Sequence, residues 1–206
     1  IDMKNTFPII IATIVFAVFL FSFVSEAQAG KTNLYKDKRE YITVKAKKGE
    51  NFNHPRTLTP QQLTDLLSKV QYRHCQFICV DSSAPEPAFT HRQIALLSQH
   101  AAKGLEQASN TELVEFFLTT PSRDFKRYTK GKLFIINDEL HIIFDRLSEA
   151  GADNDPGQYQ HGQGRWQVIA SGNQRVQINP YGSSQKNWLV LSLASETSKK
   201  GSVKKK

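Results

Sequence analysis

The side chains with the richest chemistry in this sequence are two thiols and six imidazoles, and their spacing limits what they can do. Cys75 and Cys79 lie four positions apart in Gln71–Val80 (QYRHCQFICV), with His74 beside them, while His54, His91, His100, His141 and His161 are scattered. A nucleophilic thiolate needs a neighbouring base or cation. Either cysteine with His54 or His141 would make such a pair, but no spacing favours one. Cys75, Cys79 and His74 lack the further ligands of known zinc patterns. His91 and His100 are nine positions apart on one expected helix, hence on opposite faces, and cannot share a metal. Asp153–Gly157 (DNDPG) resembles half a calcium loop, yet the twelfth position, which should be acidic, is Gly164. The sequence contains no G-x-S-x-G elbow, P-loop, H-E-x-x-H or glycine-rich dinucleotide turn. It therefore assigns no catalytic residue, no cofactor and no metal, and the expected class is non-enzymatic.

The cysteines themselves admit two states. In a strand, four residues span roughly 13 Å at about 3.3 Å each, far beyond the disulfide reach of about 7 Å. Since Gln71–Val80 reads as a strand or irregular apolar segment, the reading adopted is two buried free thiols. A bridge through a turn is the competitor, because exported chains usually pair such residues.

One cluster inside the folded body is basic. Arg123, Lys126, Arg127, Lys130 and Lys132 stand against Asp124 alone, with Phe125 and Tyr128 interleaved. Cations alternating with aromatics can engage phosphates or single strands, and the same lysines on an exposed strand would block edge-to-edge pairing. These five are the candidate contact for an anion or an acidic partner. Elsewhere the body is balanced: residues 52–194 carry 14 Lys/Arg and 13 Asp/Glu, whereas residues 30–51 carry 7 against 3 and residues 195–206 carry 5 against 1. A specific nucleic-acid reader would build its basic groove into the domain, so no specific nucleic acid is expected. Basic ends suit salt-sensitive attraction to an envelope protein, an anionic membrane surface or a polymer.

The elements that must position these residues centre on Arg127–Leu147. Two apolar runs flank Asn137 and Asp138, which tolerate positive φ, the signature of a two-residue hairpin. With those two in the loop, Ile136 faces Glu139, Ile135 faces Leu140, Leu133 faces Ile142 and Gly131 faces Phe144. Lys130 then falls opposite Asp145. The second face keeps Phe134, Ile136 and Ile143, which calls for a partial cover such as a helix. Thr59-Pro60-Gln61-Gln62 and Thr90-His91-Arg92-Gln93 are capping boxes that open helices of about Pro60–Lys69 and His91–Ala108. Strands are expected at Glu112–Thr119, Arg165–Ala170 (with a continuation after a turn into Val176–Ile178) and Asn187–Leu193. The fold class is α+β, an antiparallel sheet of about five strands with two helices packed on it.

At the N-terminus, Lys4, an apolar run over Phe7–Val24 and Ala27-Gln28-Ala29 form a secretory signal pattern over residues 1–29. The run approaches the ~18 residues that span a bilayer, so an uncleaved anchor is the alternative. Residues 30–51 read as a basic linker whose β-like patch Tyr41-Ile42-Thr43-Val44 can add a short edge strand, 52–194 as a single domain, and 195–206 as a basic disordered tail. The expected location is the periplasm or outside the cell.

His54–Leu63 (HPRTLTPQQL), Thr129–Ile135 (TKGKLFI) with its return strand, and Trp188-Leu189-Val190 resemble a family of uncharacterised exported bacterial proteins, many of them predicted lipoproteins. The resemblance covers most of the body, implies no active site and transfers no functional residue. This chain lacks the cysteine that anchors the lipoprotein members. The functional expectation is an envelope interaction or scaffold module. A small-ligand or lipid carrier using the space between helices and sheet is the alternative, and a cryptic hydrolase or thiol enzyme the second.

Overall fold

Asn137 and Asp138 reverse the chain with φ of 52° and 58°, the left-handed values that a two-residue hairpin turn of the type I′ kind requires. The computed structural model describes residues 31–75, 84–120, 126–151 and 166–193. In chain order its elements are β1 (Thr32–Asp37), β2 (Glu40–Ala46), α1 (Pro60–Leu67), β3 (Gln71–His74), β4 (Glu86–Pro87), α2 (His91–Gln107), β5 (Glu112–Thr120), β6 (Lys126–Ile136), β7 (Glu139–Gly151), β8 (Trp166–Ile169), β9 (Gln174–Ile178) and β10 (Ser184–Ser192). Seven strands form one sheet in the order β1-β2-β5-β6-β7-β10-β9, and β4-β3-β8 form a second, small sheet. Every strand pair is antiparallel.

The class is α+β with two helices, as expected, but the main sheet has seven strands rather than about five. Two of the added strands come from the stretch read as a basic linker. Along β2, Ile42 and Val44 point into the core at 0% and 3% exposure while Tyr41, Thr43 and Lys45 take the other face. The β-like patch Tyr41–Val44 is thus a strand as expected, but it lies inside the sheet, with β1 on its edge side. A further departure is β8, which joins the small sheet through β3 instead of continuing into β9.

One face of the main sheet is the core. Ile42, Val114, Phe116, Leu133, Ile135, Leu140, Ile142, Phe144 and Leu189 meet Leu63 and Leu67 of α1, Leu97 and Leu105 of α2, and Tyr72 and Val168 of the small sheet. Each large side chain buried this way contributes about 1.5–3 kcal/mol. Both capping boxes form. The Thr59 hydroxyl accepts the Gln62 N–H at 3.1 Å while the Gln62 amide oxygen accepts the Thr59 N–H at 2.8 Å. Thr90 and Gln93 do the same at 3.3 and 2.9 Å. Helix α2 lies close to the sheet because residue 104 is glycine: a Cβ there would meet Leu34 Cδ1 at 2.6 Å and Val114 Cγ2 at 2.8 Å.

The β6–β7 register is the expected one from Ile136↔Glu139 to Gly131↔Phe144. Beyond Gly131 it shifts, so that Lys130 faces Arg146 and Tyr128 faces Glu149. Two separate irregularities add one β7 residue each: Asp145, between the partners of Gly131 and Lys130, and a second bulge at Leu147–Ser148 against Thr129, where Ser148 takes a φ of 49°. The expected Lys130–Asp145 pairing is thereby replaced: Asp145 accepts Lys132 Nζ at 2.8 Å.

The second face is covered by a loop, not a helix. Phe52 packs with Leu113 and Phe134, flanked by Ile136, Ile143 and Trp188. Asn53 N–H donates to the Ile135 carbonyl at 2.8 Å, and Ile135 N–H donates to His54 Nε2 at 2.9 Å. The segment thus continues the position of β5 past its first residue.

Cys75 is disulfide-bonded, and Cys79 is the one other cysteine in the sequence. This corrects the free-thiol reading. β3 ends at His74, so the extended-strand distance does not govern the pair. The signal-like residues 1–29, Arg123, the calcium-like Asp153–Gly157, His161 and the tail 195–206 lie outside the described residues. Among the described residues no helix is long and apolar enough to cross a membrane.

Candidate functional site

Strand alternation sorts the basic cluster into two places. Lys126, Lys130 and Lys132 share the outer face of β6, opposite to Leu133 and Ile135, with Tyr128 between them. Arg127 takes the inner side, where its Nη1 donates to the Ser148 carbonyl at 2.9 Å. Four of the five expected residues are therefore described, three together and one apart.

Around those three lysines the outer face is a mixed surface of cations, aromatics and two carboxylates. Glu115, 7% exposed, accepts the Tyr41 hydroxyl at 2.9 Å and Lys45 Nζ at 3.1 Å, with Lys130 Nζ at 3.9 Å. Burial pushes the Glu115 carboxyl up, but the bonds from Lys45 and Tyr41 outweigh it and leave the group below its ordinary range. Tyr41 stacks on Phe117 at 5.8 Å and Phe117 on Tyr128 at 5.4 Å. Burial and Glu115 together hold the Tyr41 phenol protonated.

Farther along the same face, Phe134 stacks on His141 at 5.2 Å, and Trp188 Nε1 donates to His141 Nδ1 at 3.0 Å. That bond puts the His141 proton on Nε2, and burial lowers its pKa. His54, accepting a backbone N–H through Nε2, carries its proton on Nδ1, and burial lowers its pKa to about 4. Both imidazoles are neutral at pH 7 and used as hydrogen-bonding spacers in an aromatic layer. Cys75 is committed to a disulfide, so the Cys75–His pairs considered from the sequence have no thiolate to offer.

Sequence reasoning missed a polar network at the bulge. Ser148 N–H donates to Thr129 Oγ1 at 3.3 Å, which with Arg127 holds the residue in its left-handed conformation. The Ser148 hydroxyl bonds to the buried Tyr72 hydroxyl. That hydroxyl in turn donates to Glu86 Oε2 at 3.1 Å and lies 3.3 Å from His74 Nε2. A serine at positive φ beside Tyr, His and Glu resembles a hydrolase constellation. The electrostatics do not fit: burial raises the Tyr72 pKa, so at neutral pH Tyr72 is a proton donor and not a base for Ser148. Only the bulge could have pointed here from sequence, and Asp145-Arg146-Leu147-Ser148 carries no glycine to mark it.

A cleft of about 500 Å³ opens between α1 and the end of β10. Leu58, Leu66, Leu191 and Leu193 line it, with Gln62, Asp65 and Lys69 on one wall and Ser171–Gln174 on the other. The turn is fastened to α1, since Gln174 Nε2 donates to the Lys69 carbonyl at 3.1 Å while Gln174 Oε1 accepts the Ser171 N–H at 3.2 Å. Among the described residues no three His, Cys, Asp or Glu side chains converge on a metal position.

No family model, curated protein or solved structure matches the chain.

Proposed function

We propose that this is an exported, non-catalytic interaction module of the cell envelope, related to the exported family its sequence resembles, which docks an acidic protein surface on the outer face of its main sheet. The supporting observation is the sorting of Lys126, Lys130 and Lys132 onto the face that no helix among the described residues covers, where Lys45 joins them beside Tyr41 and Phe117. Glu115 and Asp145 lie in the same field and already engage Lys45 and Lys132 at 3.1 and 2.8 Å. A uniform polyanion would meet those two carboxylates as repulsion. A protein surface with an acidic excess and some donors can satisfy both signs, and electrostatic complementarity of that kind sets partner choice and encounter rate.

The test places a photo-crosslinking side chain at Lys126 and, as control, at the exposed Lys103 on α2, in the producing cell. The reading expects one discrete protein adduct at Lys126, none at Lys103, and loss of the adduct in a Lys130→Glu/Lys132→Glu variant. The partner, once purified, should bind with an affinity that falls as salt rises. Equal adducts at both positions, or an adduct that survives the double charge reversal, would overturn it. Preferential retention of the domain on anionic vesicles or a soluble polyanion, with no protein adduct, would overturn it too. Cell fractionation checks export separately.

A further inference from the structure

We infer that the cleft between α1 and the end of β10 is a binding site for a small zwitterion with an apolar side chain, an amino acid or dipeptide in size and charge. The volume, about 500 Å³, lies inside the range of roughly 300–1,000 Å³ that small-molecule sites occupy. Its floor is apolar: Leu191 is 1% and Leu58 8% exposed, with Leu66 and Leu193 half-buried beside them.

The wall at the end of α1 carries opposite charges, Asp65 on its last turn and Lys69 two residues past its final residue. They do not pair with each other, and Lys69 makes no ion pair among the described residues. Asp65 uses only Oδ1, which accepts Gln61 Nε2 at 2.8 Å, leaving Oδ2 for a ligand ammonium. Lys69 Nζ is correspondingly open to a ligand carboxylate. The facing turn cannot collapse into the space, because Gln174 ties it to Lys69 and Ser171 and Ser192 N–H donates to the Asn173 carbonyl at 3.3 Å. An apolar floor, a fixed opposite wall and two unmatched charges on one rim match a short zwitterion whose ammonium and carboxylate lie along the rim while its apolar side chains reach the floor. This site lies away from the lysine face and stands independently of the acidic-partner reading.

The experiment is a titration of the folded domain with leucyl-leucine, with octanoate and with octylamine, followed by backbone amide shifts and calorimetry. Leucyl-leucine is expected to move the amides of residues 62–69, 171–174 and 191–193. Octanoate and octylamine, each carrying one charge, should bind more weakly. Asp65→Asn and Lys69→Gln are exposed substitutions that should leave the melting temperature unchanged, and each should weaken leucyl-leucine by roughly five-fold. Filling the floor with Leu66→Trp should abolish the shifts. Absence of shifts at millimolar leucyl-leucine would overturn the inference. So would octanoate or octylamine binding as tightly as leucyl-leucine, or an affinity indifferent to both charge substitutions.

Discussion

Two neutral imidazoles report on how the outer face is built. His54 is 7% exposed, and its acceptor bond to Ile135 N–H requires an unprotonated Nε2. Burial holds its pKa at about 4, against the ordinary 6.5 that it recovers on unfolding. The unfolded chain therefore takes the proton first. Stability is full above pH 6.5 and declines as pH falls toward 4, a loss of roughly 3 kcal/mol at the bottom of the window. His141 shifts in the same direction. Glu40 and Glu115, held low by Arg92 with Thr119 and by Lys45 with Tyr41, add their own losses only at lower pH. Urea unfolding at a series of pH values should show this decline, and His54→Gln should make it shallower between pH 6.5 and 4.5. A flat profile there in the unmodified protein would count against a buried neutral His54. At Gly131 the constraint is steric: a Cβ would sit 2.5 Å from the Ile143 carbonyl oxygen and 2.7 Å from Phe116 Cζ. Gly131→Ala should cost about 2 kcal/mol or more, read as a lower denaturation midpoint with unchanged slope.

Among the elements, those with local signals were legible and those defined by partners were not. Thr59 and Thr90 with their glutamines marked both helix starts, and Asn137-Asp138 marked the turn and register as far as Gly131. Thr90→Ala should cost about 1 kcal/mol, and Asn137→Val about 1–2 kcal/mol because a β-branched residue must take a left-handed φ; thermal melts check both. What the sequence did not disclose is nonlocal. The β-like patch of β2 was visible, but its place inside the sheet, between β1 and β5, was not. The extra residue at Asp145, between the partners of Gly131 and Lys130, left Lys132 and not Lys130 to bond it. The basic cluster was visible as composition, but its division into an outer trio and an inner Arg127 follows from alternation along β6. The Ser148–Tyr72–Glu86 contacts and the cleft under α1 join segments far apart in the chain, and no short-range pattern encodes them.

For the molecule as a whole, the disulfide at Cys75 predicts that the denatured protein yields no free thiol before reduction and two afterwards, by titration with a thiol reagent. Two reactive thiols before reduction would contradict it. The placement of β2 has a consequence of another kind, in the time domain of synthesis. Tyr41 and the Glu115 it bonds are 74 positions apart, and β5 occupies the far edge of β2. At about 5–20 residues per second, a nascent β1–β2 hairpin waits several seconds or longer with that edge open. Lys31, Lys36, Lys38, Arg39, Lys45, Lys47 and Lys48 crowd this interval. Mutual repulsion between newly made chains would keep their unpaired hairpins from joining one another until β5 arrives. On this view, part of the positive charge serves the seconds before the fold exists.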